Sequence, residues 1–307
     1  MNGGEFFVTG APRRLDVTLR EQFTETSRNR IQQAIRAGRV RVNDQPGRPG
    51  DMVSDGDRVA FDSLDEPVPE EPLPPAAEQL VVLYEDEELL AVDKPSGLAC
   101  QPPPGRRGGS LLEAARARGW RLAGGEDPAR AGLVHRLDRD TSGVLLLAKS
   151  ERAHAHLQQA FREQRVQKIY HCLASGSFLR MEFHCDAPLA RDPQQRTTRR
   201  VDTRGRPAQT QFRVLRLVGR FALLEARPLT GRTHQIRAHL KHLGHFILGD
   251  PLYGPRHLEG FKPGEIARTM LHSRSLTFPA LDGRSLTLSA PEPEDFTAFA
   301  RRLGLSG

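Results

Sequence analysis

Residues 135–149 have the sequence His135-Arg136-Leu137-Asp138-Arg139-Asp140-Thr141-Ser142-Gly143-Val144-Leu145-Leu146-Leu147-Ala148-Lys149. The apolar second half predicts a strand buried on both faces, and the polar first half predicts a turn that leads into it. On that turn the carboxylate of Asp138 stands between two arginines, an arrangement that can hold one charged group beside a polyanion. The same residue types also suit an ordinary tight turn. The stretch alone therefore leaves both a catalytic and a structural interpretation of Asp138 open.

The composition indicates a globular protein with one large domain and a smaller one. Of the 307 residues, 37% are hydrophobic, and no apolar run approaches the length of a membrane span. The first five residues, Met1-Asn2-Gly3-Gly4-Glu5, lack the basic start and the apolar core of a signal peptide. We therefore expect a cytoplasmic protein with no membrane partner.

The cysteines and histidines do not favour a disulfide framework or a metal site. The three cysteines are scattered without paired spacing: Cys100, Cys172 and Cys185. Four histidines crowd one segment: His234, His239, His242 and His245. His239 and His242 share a three-residue helical spacing, but no thiolate or carboxylate set accompanies the four histidines. We expect no metal and no cofactor.

The net charge of +7 is unevenly distributed along the chain. Residues 1–61 contribute +2 and residues 62–79 contribute −6, which leaves +11 on residues 80–307. A basic body of that size favours a phosphate-rich partner. The basic residues are 40 Arg and only 5 Lys, and arginine offers bidentate contacts to phosphate that lysine cannot make.

An acidic, proline-rich linker is predicted between the two basic bodies. Five prolines interrupt this segment: Pro67, Pro69, Pro72, Pro74 and Pro75. Interleaved with glutamates, they exclude a helix or a central strand and favour an extended, self-repelling tether. We therefore predict three segments, with a small domain over residues 1–61, a linker over residues 62–79 and a large domain over residues 80–307.

The small domain combines a short helix with alternating strands. Ile31, Ala34 and Ile35 repeat at helical spacing, and the segment Arg39-Val40-Arg41-Val42-Asn43-Asp44 alternates like a strand that enters a turn. This pattern is similar to the S4 RNA-binding domain, except that Asp44 replaces the usual glycine. The resemblance implies RNA contacts by four arginines: Arg28, Arg36, Arg39 and Arg41. A small domain whose arginines are merely solvated is the alternative.

Three further patterns follow in the large domain. Residues 80–97 predict a hairpin that ends in Lys94-Pro95-Ser96-Gly97, and we assign no chemistry to Lys94. Residues 150–164 have helical character. Residues 191–206 carry six arginines and little apolar content, which favours a mobile phosphate-binding arm or a solvated loop.

Two more segments carry polar residues at positions that indicate a site. Residues 166–174 predict a strand on which Lys168 and Tyr170 share a face. Residues 228–240 contain Gly231-Arg232-Thr233-His234-Gln235-Ile236-Arg237, followed by a helix with apolar spacing.

Together with His135-Arg136-Leu137-Asp138, these motifs closely resemble those of the RluA-type pseudouridine synthases. The resemblance extends from residue 80 to about residue 290 and implies an α+β fold. That fold is a mixed, mostly antiparallel sheet with flanking helices and a central basic cleft, preceded by the S4-like module. The resemblance also implies that Asp138 is catalytic, that Tyr170 packs on the target base, and that Arg237 pairs with Asp138.

The implied reaction is the isomerisation of uridine to pseudouridine in RNA, which needs no redox partner, group donor or energy source. Asp138 adds covalently to the nucleoside or removes the C2′ proton, and the sequence does not choose between these routes. Arg237 is expected to favour the charged carboxylate, and Arg136 to brace the stack that the flipped nucleotide vacates. Other substrate contacts are expected from three residues of the second motif: Arg232, His234 and Gln235.

Family members that carry an S4 domain mostly modify large-subunit ribosomal RNA, so the resemblance favours that target, with transfer RNA as the alternative. We expect a monomer that binds ribosomal RNA, free or in an assembling particle. Two other functions remain open from the residues themselves. A glycoside hydrolase needs paired carboxylates, which Asp138 and Asp140 could supply. A non-catalytic RNA-binding or ribosome-assembly protein would account for the charge alone.

Overall fold

The computed structural model describes residues 3–24, 26, 28–62, 70–71, 77–102, 107–124, 130–195, 197–255, 258–262 and 264–306. The chain divides into two compact units, Met1–Leu73 with Pro102–Gly109, and Pro74–Gln101 with Ser110–Gly307. Most of the predicted linker lies outside the described residues, so its extended character stays a prediction. None of the helices in the described part of the chain has the length and apolar character needed to cross a bilayer.

The first unit contains two short helices and a small antiparallel sheet. Its elements are β1 (Gly4–Phe7), β2 (Arg13–Arg14), α1 (Leu15–Gln22), α2 (Arg28–Arg36), β3 (Val40–Val42), β4 (Gln45–Pro46), β5 (Met52–Val53), β6 (Arg58–Phe61), β7 (Glu70–Glu71) and β10 (Arg107–Gly108). The main sheet has the order β1-β6-β3-β4, β2 pairs with β5, and β7 pairs with β10. Leu19, Ile31 and Val59 are fully buried between the helices and the sheet. This arrangement confirms the predicted helix and strands.

The turn between β3 and β4 explains the unusual residue of the S4-like motif. Asn43 and Asp44 both have positive φ angles, +49° and +65°. Glycine is the residue that adopts this conformation most easily, but Asn and Asp tolerate it better than other side chains. Asp44 also accepts a hydrogen bond from Arg58 at 3.2 Å. The turn therefore keeps its geometry without glycine.

The second unit is built on one large sheet. Its elements are β8 (Val81–Glu85), β9 (Leu89–Lys94), α3 (Leu111–Ala117), β11 (Ser142–Ala148), α4 (Glu151–Arg162), β12 (Gln167–Ser175), β13 (Glu182–Asp186), β14 (Leu189–Arg191), β15 (Arg199–Val201), β16 (Gln209–Val218), β17 (Phe221–Pro228), α5 (Gln235–His242), β18 (Phe246–Ile247), β19 (Leu271–Pro279), β20 (Ser285–Ser289) and α6 (Glu294–Arg302). Eight strands have the order β13-β16-β17-β12-β19-β11-β9-β8, with β18 paired to β12 and β20 to β19. Only the pairing of β11 with β19 is parallel within this sheet as described. The predicted mixed, mostly antiparallel sheet is confirmed.

Strand β11 is the apolar stretch that follows Asp138, and all seven of its residues are buried. It pairs with β9 on one side and with the start of β19 on the other. At the crossing with β19, Gly143 has a φ of +109°, and a Cβ atom there would lie 2.2 Å from the carbonyl oxygen of Ser273. Only glycine allows this close approach. The turn that carries Asp138 therefore enters the sheet at a fixed position.

Apolar side chains of β11 alternate between two cores, as a strand buried on both faces requires. On one face, Leu146 packs with Leu157 of α4 and Leu276 of β19. On the other face, Leu145 belongs to the cluster that includes Leu240 of α5. Each fully buried leucine contributes roughly 2 kcal/mol of transfer free energy. These two cores fix the sheet between its helices.

The arginine-rich residues 191–206 form a hairpin, where the sequence predicts a mobile arm or a solvated loop. Strand β14 pairs with β15, and Leu189 and Arg206 exchange backbone hydrogen bonds at 2.9 Å. Leu189 also packs with Tyr253 in a small apolar cluster. Apolar anchors at the ends of the segment hold a hairpin whose middle is polar. Arg196 lies outside the described residues.

Candidate active site

The two motifs of the large unit converge on one cleft. The cleft has a volume of about 630 Å³. Seven residues that the sequence singles out line it: Arg136, Asp138, Tyr170, Arg232, His234, Gln235 and Arg237. The turn before β11, strand β12 and the start of α5 supply them. Folding thus brings together residues that lie up to about 100 positions apart.

Arg237 is held between two carboxylates. Its Nη1 donates to Oδ2 of Asp138 at 3.0 Å, while Nε and Nη2 donate to Asp250 at 2.7 and 2.8 Å. Burial opposes the charge of this guanidinium, but Asp250 and Asp138 outweigh that effect and raise the pKa of Arg237. The Asp250 side chain is fully buried, whereas 19% of Asp138 is exposed in the cleft. Asp250 therefore fixes the arginine, and the arginine orients the accessible carboxylate.

A buried lysine anchors the turn that carries Asp138. Lys94 is fully buried, and its ammonium donates to the carbonyl oxygens of Pro95, Leu98 and Arg139 at 2.8–3.0 Å. These three bonds use all the donors of an ammonium group. The sequence predicts no chemistry for Lys94, and the structure shows that its ammonium links the β9 hairpin to the turn of Asp138. The backbone nitrogen of Thr141 closes the turn by donating to the Asp138 carbonyl oxygen at 3.1 Å.

Tyr170 forms part of the cleft wall on β12, where only 9% of the residue is exposed. Burial raises the pKa of its phenol, and the nearby Asp138 carboxylate adds to that effect. The phenol is therefore neutral near pH 7. A neutral ring on a rigid strand offers a flat surface on which a base can stack.

His234 occupies a strained position beside Asp138. Its φ of +56° is uncommon for a residue with a side chain. The phenol oxygen of Tyr253 accepts from the backbone nitrogen of Arg199 at 2.6 Å, so its proton is available for Nδ1 of His234 at 3.0 Å. Nε2 then carries the imidazole proton, 3.8 Å from Oδ2 of Asp138. Burial lowers the pKa of His234 against the pull of that carboxylate, which disfavours the charged imidazolium form.

Arg232 and Gln235 shape the loop before α5. The Gln235 amide oxygen accepts from the Thr230 hydroxyl at 2.7 Å and from the Arg232 backbone nitrogen at 2.9 Å. Its amide nitrogen donates to the Gln209 carbonyl and to the Thr210 hydroxyl. All four hydrogen-bonding positions of the amide are thus used within the protein. The predicted substrate contact of Gln235 stays a prediction, and the structure shows that this side chain holds the loop of Arg232.

The cleft is strongly cationic. Five basic side chains line it: Arg136, Arg162, Lys168, Arg232 and Arg237. Among the described residues that line the cleft, Asp138 is the only carboxylate. Asp140 is not one of them, so the geometry lacks the facing pair of carboxylates that a glycoside hydrolase uses. The site suits a polyanionic substrate that presents one atom to one carboxylate.

Comparison with known proteins identifies the family of the chain. A family model described as RNA pseudouridylate synthase matches residues 88–242, a segment that contains Asp138, Tyr170 and Arg237. The chain belongs to the RNA pseudouridylate synthase family. The S4 domain model matches residues 13–59. The protein is therefore an RNA pseudouridine synthase with an N-terminal S4 domain, as the sequence motifs predict.

Similar proteins cover almost the whole chain. "Uncharacterized RNA pseudouridine synthase YlyB" of Bacillus subtilis is 35% identical over 303 residues, which span 96% of this chain and 95% of that protein. "Ribosomal large subunit pseudouridine synthase D" of Xanthomonas campestris is 36% identical, over 94% of this chain and 88% of that protein. The solved structure of human RNA Pseudouridylate Synthase Domain Containing 4 has a TM-score of 0.61 at 26% identity, over 75% of this chain and 96% of that one. The predicted fold is confirmed.

The predicted RNA contacts of the S4 domain are only partly described. Arg41 is exposed and forms an ion pair with Asp62 at 3.4 Å, and Arg39 is half-buried. The side chains of Arg28 and Arg36 lie outside the described residues. RNA binding by these four arginines stays a prediction.

Two of the other histidines of this segment, His239 and His245, have structural contacts. Nδ1 of His239 lies 2.9 Å from the Thr210 hydroxyl, and Nε2 lies 3.0 Å from the carbonyl oxygen of Ala187. His245 stacks on Phe178 with ring centroids 4.3 Å apart. Within the described part of the chain, no group of three or more potential ligands could hold a metal ion.

Proposed function

We propose that the protein converts specific uridines of large-subunit ribosomal RNA to pseudouridine, with Asp138 as the catalytic residue. The observation that carries this proposal is the position of Asp138, which is the one carboxylate among the described residues that line a cleft with five cations. The reaction breaks the bond between C1′ and N1, rotates the uracil and joins C5 to C1′. C5 loses its proton and N1 gains one, so pseudouridine has the same atomic composition as uridine.

Asp138 has two routes open to it. The carboxylate adds covalently to the nucleoside and is later released, or it removes the C2′ proton to form a glycal. In both routes one carboxylate oxygen of Asp138 must point into the cleft while the other oxygen keeps its contacts within the protein. The hydrogen bond from Arg237 and the 3.8 Å approach of His234 Nε2 both involve Oδ2. Oδ1 is thus the oxygen left to meet the substrate.

Tyr170 and Arg136 position the nucleotide and take no part in breaking the C1′–N1 bond. Because the C1′–N1 bond is inaccessible in stacked RNA, the nucleotide must leave the helix before it reacts. The neutral ring of Tyr170 provides the surface that receives the uracil. Arg136 is exposed at the cleft and no described residue forms an ion pair with it, so its guanidinium is available to fill the vacated stack.

Two features support ribosomal RNA as the target. The relative in Xanthomonas campestris is named a ribosomal large subunit pseudouridine synthase and is similar over most of both chains. The S4 domain adds a second basic module that would contact RNA apart from the modified nucleotide. Transfer RNA is the alternative target. We further propose that the enzyme acts in the cytoplasm, as a monomer.

Base-resolution mapping of pseudouridine tests the proposal. Total RNA from cells with and without the protein should differ at one or a few uridines of large-subunit ribosomal RNA. Cells that carry only Asp138→Asn or Arg237→Met should match the deletion, while Asp140→Asn should match the unmodified protein. If the differing sites are confined to transfer RNA, then transfer RNA is the target instead. Identical maps from cells with and without the protein would contradict the proposed function.

A further inference from the structure

Lys168 lines the cleft without a role in the chemistry described above. It lies on β12 two residues before Tyr170, so both side chains are on the same face of the strand. The residue is half-buried, and its ammonium donates one hydrogen bond, to the Thr230 carbonyl oxygen at 3.0 Å. Two of its three donors are therefore left for a ligand.

Lys168 has no carboxylate within ion-pair distance among the described residues. Burial lowers the pKa of this ammonium to about 8, and no neighbouring carboxylate offsets that effect. The contrast with the other buried lysine is clear, since Lys94 donates to three carbonyl oxygens. A partly buried ammonium with unused donors is destabilised until an anion reaches it.

The position of Lys168 indicates which anion that is. Alternate residues of a strand are about 7 Å apart, a spacing comparable to that between the base of a nucleotide and its own phosphate. A uracil that stacks on Tyr170 would thus place a neighbouring phosphate within reach of Lys168. A uracil carbonyl could accept a hydrogen bond from the ammonium, but it carries no net charge and would leave the cation uncompensated.

We propose that Lys168 binds the backbone phosphate next to the target uridine, and so holds the flipped nucleotide while Asp138 reacts. The proposal rests on the proposed function, because it requires RNA in this cleft. It assigns recognition of the phosphodiester to β12, the same strand that provides the surface for the base. Lys168 is a substrate-binding residue in this account.

The test removes the charge of Lys168 from the protein and the charge of one phosphate from the RNA, separately and together. The RNA is a short fragment that contains the mapped uridine, with the ordinary linkage or with a neutral methylphosphonate on the 5′ or the 3′ side of that uridine. Affinity is measured in an Asp138→Asn background, with and without Lys168→Met. We expect Lys168→Met to weaken binding of ordinary RNA by about tenfold or more. One of the neutral linkages should weaken binding to the Lys168 protein equally, and should have no effect with Lys168→Met.

Two further measurements separate binding from stability. In a plot of log K against log salt concentration, Lys168→Met should reduce the magnitude of the slope by about 0.7 to 0.9, which is the contribution of one phosphate contact. Lys168→Arg should keep the slope of the parent. Replacing an unpaired buried charge with an apolar side chain of similar size should leave the melting temperature unchanged or raised. Lys149→Met is the matched control, because its ammonium pairs with Glu85 at 2.8 Å and does not line the cleft.

Failure of the Lys168 proposal can be distinguished from failure of the proposed function. If both neutral linkages affect Lys168→Met as much as its parent, or if the salt slope is unchanged, Lys168 does not bind phosphate. Pseudouridine formation by the unmodified protein on the ordinary fragment would then still stand. If the unmodified protein forms no pseudouridine in that fragment, the function and the assignment of Lys168 both fail.

Discussion

Asp250→Asn is the substitution that most directly tests how the carboxylate of Asp138 is oriented. The change keeps the shape of the side chain and removes its charge. In the structure Asp250 accepts two hydrogen bonds from Arg237 and further ones from the backbone nitrogens of Leu252 and Tyr253 at 2.9 and 3.1 Å. An asparagine can keep the backbone contacts, but its amide nitrogen would face the guanidinium. The substitution therefore acts mainly on Arg237.

The expected loss of stability follows from burial. The side chains of Arg237 and Asp250 are 7% and 0% exposed, and removal of one partner from such a pair costs about 3–5 kcal/mol. Asp138 remains as a counter-ion at 3.0 Å, so a value near the lower limit, about 3 kcal/mol, is expected. An arginine that is no longer fixed by two bonds also leaves Asp138 without a fixed orientation. We expect kcat to fall by about 100-fold, which corresponds to about 2.7 kcal/mol.

Two assays measure these effects separately. Urea unfolding gives the free energy of unfolding. Release of tritium from C5-labelled uridine gives the rate, because C5 loses its hydrogen when it joins C1′. Rates are compared at a temperature at which circular dichroism shows both proteins folded. RNA affinity should remain within about twofold of the parent, since Asp250 does not line the cleft.

Asp140→Asn is the control, as its carboxylate is outside the cleft and the free energy of unfolding should change by less than about 0.5 kcal/mol. A normal kcat in folded Asp250→Asn would refute the reasoning, because Arg237 would then orient Asp138 without its second carboxylate. A fall in RNA affinity as large as the fall in kcat would also contradict it.

Three other outcomes are expected. Asp138→Asn should bind RNA at least as tightly as the parent in a filter-binding assay, because it removes the one carboxylate among the described residues of the cleft wall, and weaker binding would contradict this account of the charges. Burial lowers the pKa of His272 to about 4, so the unfolded chain takes up a proton first as the pH falls. Between pH 6.5 and 4 this effect should remove about 3 kcal/mol of stability, and urea unfolding should show a shallower pH dependence for His272→Asn. Gly143→Ala should cost more than about 4 kcal/mol, because its Cβ would meet the carbonyl of Ser273, whereas Gly50→Ala, which meets no atom within 4 Å, should unfold like the parent.

The sequence predicted those parts of the molecule that depend on local pattern. The apolar run after Asp138 indicated a buried strand, and β11 is buried along its whole length. The resemblance to a family placed Tyr170 and Arg237 beside Asp138, and all three line one cleft. Family motifs carry information about distant contacts that spacing alone cannot supply.

The supporting residues could not be predicted, because their roles depend on contacts between distant parts of the chain. Asp250 lies in a segment that resembles an ordinary turn, and only the fold shows that it is the partner of Arg237. Lys94 belongs to the quoted hairpin motif, yet its contact with the carbonyl of Arg139 spans 45 residues. In both cases a charged side chain became buried where its partners converge. Polarity in a sequence does not reveal whether a charge meets solvent or a partner.

The hairpin at residues 191–206 illustrates a different reason. Its composition is that of a solvated segment, but Tyr253 provides a non-local anchor through the backbone of Arg199. The domain boundaries stay a prediction, since most of residues 62–79 lie outside the described part of the chain.

The parallel pairing of β11 with β19 has a consequence for synthesis of the protein. Strand β11 is translated well before β19, and their paired residues, such as Ser142 and His272, are 130 positions apart. Until the later strand leaves the ribosome, one edge of β11 has no permanent neighbour, and an unpaired apolar edge invites aggregation. A nascent chain that stalls before residue 271 would therefore carry the turn of Asp138 on a sheet in which one edge of β11 is still unpaired, and would be prone to aggregate.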